Sequence, residues 1–83
     1  MDDPLTRKRH EWADQIIHNL ELEGMEDATF QRFNDQRLKY LAKRSAELVQ
    51  DLNRMKLHPN TSLEFKAKRQ LKLMKESLVT MIN

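Results

Sequence analysis

The sequence predicts an all-α protein, a three-helix bundle that forms a single domain over residues 1–83. The chain contains one glycine and two prolines, whereas strands and tight hairpins use many glycines. Apolar residues recur three or four positions apart along three long stretches, which is the spacing of an amphipathic helix. A chain of this length has room for one hydrophobic core. We therefore expect three helices joined by short turns, with no linker and no internal repeat.

The first helix is predicted over about residues 4–23. Asp3 can cap the free backbone N–H groups, and Pro4 suits the first helical position because its φ is already fixed. The apolar stripe of this helix comprises Leu5, Trp12, Ala13, Ile16, Ile17 and Leu20. Gly24 is predicted to end the helix, because glycine tolerates the left-handed conformation that often follows a last turn.

The second helix is predicted over about residues 27–56, with an irregular entry near Phe33 and Asn34. Phe30 and Phe33 begin its apolar face. A seam with alternating spacings of three and four follows, made of Leu38, Leu41, Ser45, Leu48, Leu52 and Met55. We interpret this seam as a stripe of the chain's own core, and an intermolecular coiled coil is the alternative. Ser45 is small enough to be buried if its hydroxyl bonds back to its own helix.

The third helix is predicted over about residues 62–82. It follows the only strong break, residues 57–62, where Pro59 biases the preceding residue away from helix. Thr61 and Glu64 have the spacing of a capping box, which marks a helix start. The predicted buried stripe contains Leu63, Ala67, Leu71, Met74, Leu78 and either Met81 or Ile82. Phe65 and Leu73 lie off that stripe.

The net charge of +2 conceals a polarised distribution. Residues 11–35 contain seven acidic residues and one basic residue, a net charge of −6. Residues 36–83 contain eleven basic and four acidic residues, a net charge of +7. Part of this difference can be matched between packed helices, and part can form a basic surface for an acidic partner.

Several functional classes lack the residues that they need. The chain has no cysteine for a disulfide or a thiolate metal site, and its three histidines lie far apart in the sequence. A single glycine excludes a glycine-rich phosphate loop. The carboxylates of Glu21, Glu23, Glu26 and Asp27 cluster at a helix junction, where solvated charge is the simplest interpretation. We therefore expect no enzymatic activity, no metal and no cofactor.

The surroundings of the protein are predicted from the same composition. No apolar run approaches the roughly 20 residues that a membrane-spanning helix needs, so no membrane partner is expected. Residues 1–10 lack the apolar segment of a secretion signal, so we expect no cleaved leader. The absence of cysteine suits a reducing compartment, the nucleus or the cytoplasm.

The strongest binding signal is a cluster of cations on the third helix. Five basic residues lie within two and a half turns: Lys66, Lys68, Arg69, Lys72 and Lys75. Lys66, Arg69 and Lys72 step by three and form one ridge, with Phe65 and Leu73 beside it. A basic flank with exposed apolar residues suits an acidic, amphipathic partner. A solvated lysine face is the simpler alternative, and nucleic acid is a rival partner that the acidic first third of the chain would repel.

Two stretches have a familiar pattern, NDQRLKYLAKRSAELVQDLNRM at residues 34–55 and NTSLEFKAKRQLKLMKESL at residues 60–78. Together they resemble the KIX domain of transcriptional coactivators, a family that includes the CREB-binding protein and the Mediator tail subunit. In that family an acidic–aromatic pair opens the third helix, and Glu64 and Phe65 occupy that place. The chain departs from the family in having Phe65 instead of the usual tyrosine. Lys66 and Arg69 also stand where the family has apolar or aromatic groove residues.

The resemblance implies a KIX-like three-helix bundle with a groove between helices one and three. Such a groove accepts the amphipathic acidic helix of an activation domain. Carried across by position, the groove floor would be Ile17, Leu20, Phe65, Leu73 and Met74, and its cationic rim would be Lys66, Arg69 and Lys72. A monomeric nuclear protein that binds activation domains is therefore our first hypothesis. The alternatives are a nucleic-acid-binding bundle and a structural or regulatory protein that dimerises through the second helix.

Overall fold

A computed structural model describes residues 3–22, 24–25 and 27–82. It contains three α-helices: α1 (Pro4–Asn19), α2 (Asp35–Arg54) and α3 (Thr61–Ile82). A short 3₁₀ helix, Asp27–Arg32, lies between α1 and α2. These residues contain no strand, and the predicted all-α three-helix bundle is confirmed. None of the helices within the described ranges is long and apolar enough to cross a membrane.

Helix α1 begins as predicted and ends earlier than predicted. The Asp3 side chain accepts a hydrogen bond from the Leu5 N–H (3.3 Å), and Pro4 occupies the first helical position. The helix stops at Asn19 because Glu21 adopts a left-handed backbone conformation with φ +53°. Gly24 is also left-handed (φ +79°) but lies beyond the end of the helix. The predicted helix end at residue 23 was therefore wrong, and Glu23 lies outside the described residues.

Two backbone hydrogen bonds close this helix end. The Leu22 N–H donates to the Ile17 carbonyl (2.9 Å), and the Glu21 N–H donates to the His18 carbonyl (3.3 Å). This is the pattern of a Schellman motif, in which the left-handed position is usually glycine. A non-glycine residue in that conformation costs roughly 1 kcal/mol, and burial of Leu22 in the core offsets the cost.

Glu21→Gly is expected to increase the free energy of unfolding by about 0.5–1 kcal/mol, because glycine adopts a positive φ without a steric penalty. Urea unfolding followed by circular dichroism measures this change. Glu21→Ala is the matched control, since it removes the same charge but keeps a Cβ atom. An equal gain in both variants would show that relief of charge repulsion, and not of backbone strain, stabilises the protein.

The second predicted helix is divided into two elements. The structure has a 3₁₀ helix up to Arg32 and then α2 from Asp35, with a break at the predicted irregular entry. Asn34 has an extended backbone, and its side-chain oxygen accepts a hydrogen bond from the Arg37 N–H (2.8 Å). That bond is an N-cap, so the α-helix starts there and not at residue 27.

Helices α1 and α2 run in the same direction. Near their starts, the Arg9 guanidinium forms an ion pair with Asp35. Further along, the Asn19 side-chain amide donates to the Ser45 hydroxyl (3.1 Å). Both contacts join residues 26 positions apart in the sequence, which requires parallel helices. The segment that connects them, which we call the return segment, therefore runs back along α1 from Asn19 to the level of Arg9, so the short turn expected here was wrong.

The core lies between α1, the 3₁₀ helix and the first half of α2. Its buried side chains are Ala13, Ile16, Leu20, Leu22, Phe30, Phe33, Leu38, Leu41, Ala42 and Leu78. Only Leu78 among them comes from α3. Ser45 is buried as predicted, and its hydroxyl donates to the Ala42 carbonyl of its own helix (3.1 Å) while Asn19 supplies a second partner. The first four seam residues of α2 are thus buried within the chain, as expected of an intramolecular stripe.

Helices α2 and α3 form an antiparallel hairpin. Asn60 caps α3, because its side-chain oxygen accepts a hydrogen bond from the Leu63 N–H (3.1 Å). The predicted capping box was wrong: Thr61 is already helical, and the Glu64 carboxylate pairs with Lys68 (2.9 Å). Since α1 ends level with Ser45, the last half of α2 and the first half of α3 extend beyond it. We call this projecting part the hairpin end.

Candidate partner-binding surface

The eight predicted site residues separate into two groups. Leu20 is buried in the core, and Ile17 and Met74 are half-buried against it. Phe65, Lys66, Arg69, Lys72 and Leu73 are all exposed. The structure therefore does not bring the predicted floor together as one groove between α1 and α3.

The rotation of α3 accounts for this separation. Ala67 and Leu78 are buried, which fixes the side of α3 that faces the rest of the bundle. Each helical residue advances by about 100°, so Phe65, two positions before Ala67, points to the opposite side. Phe65 is accordingly 66% exposed and Leu73 is 48% exposed. The prediction that these two residues lie off the buried stripe is confirmed.

The five exposed residues form a continuous patch, which we call the outer surface of α3. Its members are Phe65, Lys66, Arg69, Lys72 and Leu73. Positions three or four apart are neighbours on a helix surface, so Arg69 lies between Phe65 on one turn and Leu73 on the next. The patch thus has an aromatic ring at one end, an aliphatic side chain at the other and cations between them.

The cations of this patch have no anionic partner among the residues that the structure describes. The ion pair of α3 in those ranges is Lys68–Glu64, and Lys75 donates to the Glu21 carbonyl (3.3 Å). Lys66, Arg69 and Lys72 take part in neither contact. Glu76 lies one turn after Lys72 and marks the end of the basic patch. The positive charge of the outer surface is therefore free to meet a partner.

A groove at the hairpin end was not predicted from the sequence. It has a volume of about 440 Å³ and lies between α2 and α3. Its apolar lining is Leu48, Met55, Leu63 and Ala67, and its polar lining is Arg44, Asp51, Arg54, His58, Asn60, Lys66 and Gln70. We call it the hairpin groove. Lys66 belongs both to this groove and to the outer surface of α3.

The hairpin groove exists because α1 is short. Leu63 is on the predicted buried stripe, yet it is 51% exposed, since α1 ends before it reaches the hairpin end. Leu48 and Ala67 are buried at the bottom of the groove. On the rim, Arg44 pairs with Glu47 (3.2 Å) and Arg54 pairs with Asp51, each within α2. No motif in the sequence signals this groove, because it depends on where α1 ends in the folded chain.

No group of three or more His, Cys, Asp or Glu side chains in the described part of the chain could hold a metal ion. Comparisons of the chain with protein-family models, with curated proteins and with solved structures found no match. The resemblance to the KIX family therefore stays a prediction that rests on the residues quoted above.

Proposed function

We propose that the protein is an interaction module that binds an acidic, amphipathic helix on the outer surface of α3. The observation that carries this proposal is the combination, on one helix face, of two exposed apolar side chains with three cations that have no anionic partner among the described residues. Exposed Phe65 and Leu73 offer apolar contact area at the two ends of the patch. Lys66, Arg69 and Lys72 offer charge between them.

The two kinds of side chain have different roles in such a complex. Burying an exposed Phe or Leu side chain contributes roughly 1.5–3 kcal/mol, so the apolar residues supply most of the affinity. The cations attract and orient an acidic partner and exclude basic ones. A disordered acidic segment must become helical when it binds, which offsets part of the gain. We expect an affinity of the order of micromolar.

The proposed biological setting is transcription. The resemblance of residues 34–55 and 60–78 to the KIX domain favours activation domains of transcription factors as partners, and a nuclear coactivator as the context. In this chain the proposed seat is the outer surface of α3 and not the α1–α3 groove that the resemblance implies, because Leu20 is buried and Phe65 faces away.

Leu73→Asp is expected to weaken binding of an acidic amphipathic peptide by roughly tenfold or more, because it removes an apolar contact and adds like charge. The probe is a synthetic peptide of about 16 residues, which is long enough to be partly helical when it is free in solution. Amide shift changes in the full chain, expected over residues 65–73, measure the binding. Tyr40→Asp is the control, an equivalent change at an exposed position of α2. Unchanged amide signals in the wild-type protein would contradict the proposal.

Nucleic acid is the second candidate because α2 also carries exposed cations. Lys39 and Lys43 are exposed there, together with the ring of Tyr40. Binding to phosphates weakens steeply as salt increases. Titration with duplex DNA at two salt concentrations therefore separates the candidates. Strong, salt-sensitive DNA binding without peptide binding would favour the nucleic-acid function over the proposed one.

A further inference from the structure

We propose that the hairpin groove is an anchor pocket, which takes one bulky apolar side chain of an acidic helical partner. The inference rests on the proposed function and extends it, because it assigns the partner a defined anchor and spacing. It also assigns a role to residues of α2 and of the hairpin end. Of these residues, Lys66 is the one that also belongs to the outer surface of α3.

The floor of the groove is suited to an apolar side chain. Leu48 and Ala67 are buried at its base, while Met55 and Leu63 leave apolar surface open to solvent. Ala67 contributes only a methyl group, so α3 occupies little of the space opposite Leu48. The volume of about 440 Å³ lies within the range of roughly 300–1,000 Å³ that is typical of ligand pockets.

The rim selects an acidic partner. Three cations line the groove, Arg44, Arg54 and Lys66, against the carboxylate of Asp51 in the same lining and that of Glu47, which pairs with Arg44. The ion pairs of Arg44 and Arg54 are exposed pairs within one helix, a type that contributes little to stability. Either arginine can therefore exchange its partner for an incoming carboxylate. This charge complementarity favours a partner in which acidic residues flank the anchor.

The groove is continuous with the outer surface of α3. Lys66 lines the groove, and Leu73 lies seven residues, or about two turns, further along the same flank of α3. The distance between these levels along the helix is about 10 Å. A partner helix that lies along this flank can place one apolar residue in the groove and another against Leu73. We infer a partner with apolar residues at positions i and i+7 and with carboxylates between them.

Two synthetic peptides test the anchor. Both are acidic amphipathic helices of about 16 residues with Leu at i+7, and they differ only in having Trp or Ala at position i. The Trp peptide is expected to bind the wild-type chain roughly tenfold more tightly than the Ala peptide. It should also shift the amide signals of residues that line the groove, Leu48, Met55 and Leu63 among them.

Leu63→Glu is expected to abolish the difference between the two peptides, because it places negative charge at the mouth of the groove. Leu57→Glu is the matched control, since Leu57 is exposed on the adjacent turn and does not line the groove. Met55→Ser removes apolar floor without adding charge and is expected to reduce the difference as well. It is the second variant in case Leu63→Glu disturbs the start of α3.

The outcomes separate this inference from the proposed function. Equal binding of the two peptides, with shifts confined to residues 65–73, would overturn the anchor pocket and leave the proposed function standing. Equal loss of affinity in Leu57→Glu and Leu63→Glu would also overturn the anchor. Binding of neither peptide would overturn both proposals.

Discussion

Leu78→Ala is expected to reduce the free energy of unfolding by about 3 kcal/mol. Leu78 is 1% exposed and is the one core-cluster side chain that α3 supplies within the described residues. Its truncation loses the transfer free energy of the deleted atoms and leaves a cavity, a combination that costs roughly 2–5 kcal/mol in buried sites. Urea unfolding of the full chain measures the loss. The third helix should separate from α1 and α2 more readily as a result.

Leu73→Ala is the matched control for this prediction, because it makes the same chemical change on the same helix, five residues earlier. Leu73 is 48% exposed, so its truncation should cost only about 0.5–1 kcal/mol. The order is expected to reverse in peptide binding. Leu73→Ala should weaken binding more than Leu78→Ala, because Leu73 contributes contact area and Leu78 does not. Similar stabilities for both variants would show that α3 does not pack on the core through Leu78.

The position of each helix face could be predicted from the sequence, because burial follows the spacing of apolar residues. The stripe of α3 correctly separates Leu78 from Leu73. The seam of α2 correctly includes Ser45, whose burial depends on hydrogen bonds that a serine makes within its own helix. Phe65 was correctly placed off the stripe. Each of these predictions depends only on the spacing of residues within one helix, and the regular geometry of the α-helix converts that spacing into a buried and an exposed side.

The length of α1 could not be predicted in the same way. It ends because Glu21 is left-handed, a conformation that the residue type disfavours. The burial of Leu22 in the folded chain and the two backbone hydrogen bonds of the closing turn offset its cost. The exposure of Leu63 and the hairpin groove both follow from that early end. The groove therefore depends on a contact between distant parts of the chain, and no motif in the sequence marks it.

The parallel arrangement of α1 and α2 also depends on a contact between residues that are distant in the sequence, made by Arg9. We therefore expect replacement of Arg9 to change the free energy of unfolding substantially. The Arg9 guanidinium pairs with the Asp35 carboxylate and donates to the Phe33 carbonyl (2.7 Å) and the Phe30 carbonyl (3.4 Å). It thus joins α1 to the end of the 3₁₀ helix and to the start of α2. Its side chain is 26% exposed, so these bonds are partly shielded from water.

Arg9→Met is expected to reduce the free energy of unfolding by about 2 kcal/mol, because it keeps the apolar stem but leaves the acceptors without their donor. Arg9→Lys should recover only part of this loss, since one ammonium cannot reproduce the planar, multidentate guanidinium. Lys8→Met is the control, a cation removed from a neighbouring exposed position. Urea unfolding measures all three variants.

A double-mutant cycle of Arg9→Met with Asp35→Asn separates the ion pair from the carbonyl bonds. If the ion pair dominates, the coupling energy should approach the full loss of the Arg9 variant. We expect instead a coupling of about 1 kcal/mol, because two of the three acceptors are backbone carbonyls that Asp35→Asn leaves unchanged. A loss in Arg9→Met no larger than that in Lys8→Met would show that hydrophobic packing, and not the bonds of Arg9, holds the return segment between α1 and α2 against α1.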